Sequence, residues 1–287
     1  KAIIDVCGLS DREITMGDII FKIGPRINAS GRIQNGKEAV DLLTERDFKA
    51  AIAKSNQINQ YNETRKDLDK AMTEEANKIV EHLEDLSERN TIVIFNEEWH
   101  KGVIGIVASR LTEIYYRPAV VLTRTNDLAT GSARSVSGFD VYKAIEHCRD
   151  LLENFGGHTY AAGLSMKAEN VEKFTRRFEE YVTNHILPEQ RSAVIDIDAE
   201  IDFRDITPKF HSDLKRFNPF GPGNNKPIFC TRGVIDFGTS KLVGRQLEHI
   251  KLELVDDSSG KVMNGIAFNM AEHFEHIHNR KPFDICY

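Results

Sequence analysis

The sequence predicts an α/β unit with a mostly β region after it and a long helix before it. Three observations carry this. No Gly or Pro occurs from Thr44 to Asn90, and apolar residues recur there at helical spacing: Phe48, Ile52, Ile58, Tyr61, Leu68, Met72, Ile79, Leu83 and Leu86. Residues 90–187 alternate buried-strand and amphipathic-helix patterns, the signature of layered α/β units. From Ser192 onward the pattern is chiefly that of strands.

Taken in order, residues 1–43 hold short apolar runs and a segment, 24–32 (GPRINASGR), that reads as a loop. They are too few to form a domain alone. Thr44 followed by Asp47 resembles a capping box with Asp in place of Glu. The helix of 44–89, roughly 40 residues, would span about 60 Å, a length suited to joining two bodies. A coiled coil is the alternative, and the polar interruptions at Ser55, Thr64 and Arg65 count against it. Within 90–188, strands are expected at 91–95 and 119–122, and helices at 103–116, 140–152 and 171–185, the last closed by Pro188. In 189–287, Asp196, Asp198, Glu200 and Asp202 alternate with Ile197 and Ile201, which predicts a strand with one wet face. A calcium loop fails there because its sixth position would be Ile201 rather than Gly. The runs 250–255 and 264–268 suggest a small barrel or sandwich.

The chain has 287 residues and a net charge of −6, which argues against a surface coated in basic charge but leaves room for a local basic groove. Lys101, Arg110, Arg117, Arg124 and Arg134 concentrate between Trp99 and Asp140. No apolar run approaches the ~20 residues of a membrane span. Cys7, Cys148, Cys230 and Cys286 form no C-x-x-C pair, which disfavours a thiolate metal site and fits a reducing, cytoplasmic compartment. The opening at Lys1 and the strand-like end at Tyr287 suggest a piece of a longer protein.

Four stretches are suited to phosphate. Residues 155–163 (FGGHTYAAG) are expected between a helix and a strand. There Gly156 and Gly157 would permit close backbone approach and an anion nest, and His158 would supply a donor or proton carrier. Residues 99–105 (WHKGVIG) precede a helix, whose N-terminus favours anions, though Gly102 and Gly105 serve tight packing equally well. His100 belongs to this stretch. Ser132 and Ser135 flank Arg134, whose planar fork suits phosphate oxygens. Arg26, Asn28 and Arg32 share the segment 24–32, where two arginines could clamp adjacent phosphates. Trp99, Phe139, Tyr160 and Phe220 are candidates for base stacking, with core packing as the competing account. His273, His276 and His278 invite a metal, but nothing nearby completes a ligand shell, and a solvated helix face accounts for them better. There is no Walker A loop, no G-x-S-x-G and no H-E-x-x-H.

Together, residues 24–32, 100–111, 131–135, 156–163 and 214–229, the last containing Pro219-Phe-Gly-Pro-Gly-Asn224, resemble the RecJ single-strand-specific exonuclease family of the DHH phosphoesterase superfamily. The resemblance implies a DHH-associated α/β domain at 90–188, preceded by the long connecting helix at 44–89 and followed by an OB-like β-barrel at 189–287, which would be truncated. Residues 1–43 would be the tail of the DHH domain. It implies 5′→3′ hydrolysis of single-stranded DNA in repair and recombination, with Mn2+ or Mg2+ held by residues outside this chain, so that the fragment alone is inactive and supplies DNA binding. Arg26, Asn28, Arg32, Gly156, Gly157 and His158 match the residues lining the family's phosphate cleft, His158 in the catalytic set. Ser132, Arg134 and Ser135 match its grip near the 5′ end. Single-stranded DNA is the implied partner, with a single-strand-binding protein and a helicase as candidates. An oligonucleotide or cyclic-dinucleotide phosphodiesterase of the same superfamily, or a non-catalytic nucleic-acid-binding module, stays open.

Overall fold

The computed structural model describes residues 1–83, 86–221, 223–256 and 259–287. Its contacts divide the chain into two units, Lys1–Ala193 and Val194–Tyr287. The first opens with α1 (Ala2–Val6), α2 (Met16–Asp18), α3 (Gly24–Ile33), α4 (Lys37–Leu43) and α5 (Phe48–Glu81). The segment 24–32, expected as a loop, is the body of α3. Pro25 stands in the first turn, where its missing N–H goes unused, so Gly-Pro here opens a helix instead of a turn. The expected pairing of Thr44 with Asp47 does not form either. Thr44 Oγ1 bonds back to the Val40 carbonyl at the end of α4 (2.9 Å), and Asp47 alone caps α5 by accepting from the Ala50 N–H at 2.7 Å.

The 34 residues of α5 run about 50 Å and line two cores in turn. Ala51 and Ile58 pack with Ala2, Ile3, Ala39 and Leu42. Met72, Ala76 and Val80 pack with Ile92, Trp99, Ile104, Val107 and Leu111. Ser55, Asn62 and Asp69, seven apart, are all buried, so these polar positions point into the fold, whereas Thr64 is exposed. The expected end at residue 89 lies beyond the observed end at Glu81, and residues 84 and 85 fall outside the described ones.

After α5 come β1 (Ile92–Phe95), α6 (Ile104–Tyr115), β2 (Ala119–Thr125), β3 (Leu128–Arg134), α7 (Val141–Glu146), β4 (Asn154–His158), β5 (Ala161–Lys167) and α8 (Val171–His185). The strands make one sheet in the order β1-β2-β3-β5-β4. Only β1–β2 is parallel, bridged by α6. Tyr116 ends α6 in the left-handed region, at φ 48°, and Pro118 prevents its continuation. Asn126 and Asp127, both at positive φ, make the two-residue turn whose twist matches a β2–β3 hairpin. The expected helix at 140–152 is shorter. Asp140 caps α7 through the Lys143 N–H, and a separate 3₁₀ turn follows at Arg149–Leu151. Phe174, Phe178 and Val182 of α8 pack with α7 and with Leu122, Ala133, Leu164 and Met166 of the sheet.

The second unit holds β6 (Ala199–Glu200), α9 (Pro208–Lys215), β7 (Phe229–Asp236), β8 (Lys241–Val243), β9 (His249–Asp256), β10 (Lys261–Ala267), α10 (Phe274–His278) and β11 (Phe283–Cys286). The acidic stretch is not a long strand. Asp198 spends its carboxylate on the Ile228 N–H (2.9 Å), Asp202 and Asp205 cap a 3₁₀ turn, and only Ala199 and Glu200 pair with β7. The sheet runs β10-β9-β7-β11, with β6 on β7 and β8 on β9. Among the described residues this sheet does not close on itself. Ile277 of α10 completes its core with Phe203, Val234, Ile250, Leu252 and Leu254. The motif 219–224 includes residue 222, which lies outside the described residues.

Candidate nucleic-acid interface

The two faces of the first sheet are covered unequally. One face lies under α7 and α8. On the other, α5 and α6 cover Ile92, Ile94, Ala119 and Val121, and α6 reaches as far as β3. Residues directly opposite across paired strands share a face. Arg134 therefore lies in one row with Ala161 and His158, Ser132 with Gly163 and Gly156, and Thr130 with Ser165 and Asn154. Beyond β3 this face is left open, and Asn154, Gly156, His158 and Gly163 are exposed. The result is a shallow trough, floored by small residues and bordered by a hydroxyl–arginine edge. Lys101, Thr130, Asn154, Gly156, Gly163 and Ser165 line part of it.

Arg134 is held in place by its own chain. Its Nε donates to Ser109 Oγ on α6 at 3.1 Å, and Nη1 donates to Ser132 Oγ and the Ala133 carbonyl, both at 2.8 Å. The close fit needs Gly105, where a Cβ would stand 3.0 Å from Arg134 Nη2 and 3.0 Å from Ser132 Oγ. Arg32 arrives from the end of α3 and donates Nη1 to the Gly102 carbonyl at 3.0 Å. A Cβ at Gly102 would stand 2.1 Å from the Arg32 carbonyl oxygen, so glycine lets the two segments touch. Burial pulls the pKa of Arg134 down and the Arg32 charge adds to it. Burial does the same to Arg32, followed by Arg65. Burial thus disfavours the charged form of both guanidiniums, and among the described residues neither has a carboxylate within ion-pair distance. The compensating acid is Asp69, which accepts two bonds from Arg110 (2.7 and 2.8 Å) and lies 3.6 Å from Arg65. Positive charge at the start of α6 adds to the partial charge of a helix N-terminus, giving an electropositive corner in a chain of net charge −6.

The stretch expected between a helix and a strand is itself a hairpin, β4–β5 turning at Thr159–Tyr160. Its two glycines differ. At Gly157 φ is +156° and a Cβ would sit 2.3 Å from the Ala161 carbonyl oxygen, so packing forbids a side chain. At Gly156 a Cβ would meet nothing within 4 Å.

The candidate residues separate accordingly. Arg32, Ser132 and Arg134 come together, with Gly156, Gly157 and His158 on the edge strand of the same sheet. Arg26 does not join them. It donates Nε to Asn59 Oδ1 (2.8 Å) and Nη1 to the Lys22 carbonyl (2.9 Å), and six residues along a helix turn it well away from Arg32. The paired clamp expected of a loop is therefore lost, while exposed Asn28 lies one turn before Arg32 on the same side. Ser135 spends its hydroxyl on the Phe139 carbonyl (2.8 Å). His100 accepts from the Gly102 N–H through Nδ1 at 3.1 Å and shapes the loop before α6. Trp99 and Phe139 are buried, and Trp99 Nε1 donates to Glu75. Tyr160 is 54% exposed at the hairpin tip, and Phe220 lines an apolar pocket with Phe210 and Phe229. His278 bonds Asp236 at 2.9 Å, and among the described residues no three His, Cys, Asp or Glu side chains gather as a metal site. Ser109, Arg65 and Asp69 escaped sequence reasoning. The Arg65–Asp69 spacing of one helical turn was their only signal.

These features define a DHHA1 domain followed by an OB domain: the DHHA1 family matches residues 88–184 and the RecJ OB domain family residues 197–287. The single-stranded-DNA-specific exonuclease RecJ of Bacillus subtilis (strain 168) is 34% identical over 274 residues, covering 95% of this chain and 34% of the relative. That of Escherichia coli (strain K12) is 31% identical over 279 residues, covering 94% and 47%. RecJ from Thermus thermophilus, solved in complex with Mg2+, superposes with a TM-score of 0.76 at 23% identity, covering 93% of this chain and 44% of that one. An exonuclease RecJ bound to manganese superposes at 0.56 with 30% identity, covering 67% and 46%. The chain belongs to the RecJ family, and it spans between a third and a half of the length of these curated relatives.

Proposed function

We propose that this chain is the strand-gripping part of a single-stranded-DNA-specific 5′→3′ exonuclease working in DNA repair and recombination. The observation that carries this reading is the placement of Arg134. It is fixed by Ser109, Ser132 and the Ala133 carbonyl, short of counter-charge, and stands at the rim of an uncovered trough. A phosphate there supplies the missing negative charge and can accept from the arginine forks in charge-assisted bonds. Phosphate contacts of this kind hold a strand without reading its sequence.

Arg32, Ser132 and Arg134 take phosphate near the 5′ end. His158, two strands away, contacts a further phosphate on the scissile side, and Gly156 keeps the floor clear for the sugar–phosphate backbone. Asn28 and His100 border this path, and Arg26 and Ser135 act through the local structure they tie down. The Mn2+ or Mg2+ of the reaction is assigned to residues outside this chain, since no ligand set gathers among the described ones. Among the described residues no helix is long and apolar enough to cross a membrane. We place the protein in the cytoplasm, with a single-strand-binding protein and a helicase as the partners that present the strand.

The test is anisotropy of a fluorescent 5′-phosphorylated single-stranded oligonucleotide across a salt series, with a 5′-hydroxyl strand and a matched duplex beside it. Loss of a charge-assisted bond costs about 1.5–3 kcal/mol, so Arg134→Ala should weaken the phosphorylated strand by roughly 10- to 100-fold and flatten the salt slope. His158→Ala should weaken both single strands. Equal binding by the variants, or equal affinity for duplex, refutes the reading.

A further inference from the structure

Two of the four cysteines face each other across a strand pair. Cys286 of β11 stands directly opposite Cys230 of β7. The next pair, Phe229 and Tyr287, exchanges both N–H···O bonds (2.9 and 3.0 Å). Antiparallel pairs alternate, which makes Cys230–Cys286 the close, non-hydrogen-bonded kind, with Cα atoms about 4.5 Å apart and side chains on one face. That spacing is inside the range a disulfide spans, about 4.4–6.8 Å. The two thiols are close enough that Cys286 helps raise the Cys230 pKa. Both are free, with Cys286 exposed and Cys230 only 3% exposed.

We propose that Cys230 and Cys286 are a reversible dithiol–disulfide pair that clasps the edge strand β11 to β7. The two thiols divide the chemistry by exposure. The Cys286 thiolate, reachable from solvent, attacks one sulfur of a small-molecule disulfide, and the first thiol leaves as its thiolate. Cys230, deprotonated as it reacts, then attacks the Cys286 sulfur of the mixed disulfide and expels the second thiol. The protein loses two protons and two electrons, and the oxidant is reduced to two thiols. Burial, and then the neighbouring Cys286, push the Cys230 thiol up, so it waits as a thiol and serves as the resolving partner. Arg232 lies close enough to favour thiolate there and is itself fixed by Glu200 (2.6 Å) and Asp284 (3.0 Å). The bond would close a loop containing β8, β9, β10 and α10. It would fix Tyr287, whose hydroxyl meets Thr231 Oγ1 at 2.9 Å, against the wall of the second unit's apolar pocket.

The experiment equilibrates the 287-residue chain with glutathione buffers of rising disulfide content, quenches it in acid, unfolds it in denaturant, blocks remaining thiols there with an alkylating agent, and maps the products by mass spectrometry. The expected result is loss of alkylation at Cys230 and Cys286 together and a peptide cross-linking them, while Cys7 and Cys148 stay alkylated. Cross-linking so long a loop should raise the unfolding midpoint of the second unit by about 5 °C or more, reversed by dithiothreitol. In Cys230→Ser a glutathione adduct should persist on Cys286. Cys286→Ala, an exposed change that keeps the fold, should leave Cys230 alkylated. A persistent glutathione adduct on Cys286 in the unmutated chain, a cross-link to Cys7 or Cys148, or an oxidised form no more stable than the reduced one overturns the proposal.

Discussion

Gly156 and Gly157 are neighbours that lack a side chain for opposite reasons. At Gly157 the hairpin leaves no room for one, whereas at Gly156 the protein would accept a methyl and only the trough would lose by it. Gly157→Ala should therefore lower stability by roughly 2 kcal/mol or more, the scale of a forced backbone conformation, read as a fall in thermal midpoint. Gly156→Ala should unfold within about 0.5 kcal/mol of the parent yet weaken oligonucleotide binding about tenfold, or ~1.4 kcal/mol. Unchanged binding in a folded Gly156→Ala would remove Gly156 from the interface. The sequence flagged both residues, because Gly-Gly-His is a local signal. It could not separate them, because the clash at Gly157 comes from Ala161 and Ala162 across the turn. Ser135 shows the converse: it sits beside Arg134 in sequence, but its hydroxyl goes to Phe139.

At the scale of elements, the joint between α5 and α6 positions the grip. Asp69 of α5, almost wholly buried, takes the Arg110 guanidinium of α6 in a two-bond fork, while Ser109, one residue before Arg110, steadies Arg134. Asp69→Ala leaves Arg110 without its acceptor and removes the ion-pair partner of Arg65, which keeps its bond to Asn62 Oδ1. Because Arg110 is half exposed and can return to water, the expected cost is about 1–2 kcal/mol, seen as a lower urea midpoint at unchanged slope. The long helix was legible from its composition, since 34 residues without Gly or Pro leave a periodic chain little else to do. The strand–helix alternation of the first unit was legible for the same reason. The role of the polar positions in α5 was hidden, because a break in an apolar stripe does not reveal which buried partner answers it. The helix α3 was hidden because Gly-Pro marks a turn and a helix start alike. The OB-like β region was legible from the strand runs after Ser192, and a family match to a RecJ OB domain at 197–287 bears it out.

At the scale of the molecule, the two units meet in sequence at a stretch with little to hold it. Gln190 is anchored to the Gly138 carbonyl at 2.7 Å and Asp198 to Ile228, while residues 191–197 are exposed and form neither helix nor strand. Brief trypsin treatment should cut first after Arg191 and leave two resistant fragments, followed by gel electrophoresis and mass. Earlier cleavage within α5 would show that the first unit opens before the junction does. The half-covered sheet has a last consequence. Its strands lie about 4.8 Å apart, and β5 separates β3 from β4, so Arg134 and His158 are set by the sheet roughly 10 Å from each other. That spacing belongs to the backbones, and the Arg134 guanidinium is tied to Ser109 of α6 and Ser132 of its own strand. On the proposed reading the sheet works as a gauge of polymer length: a strand is retained at two stations at once, and a released mononucleotide, touching one, departs.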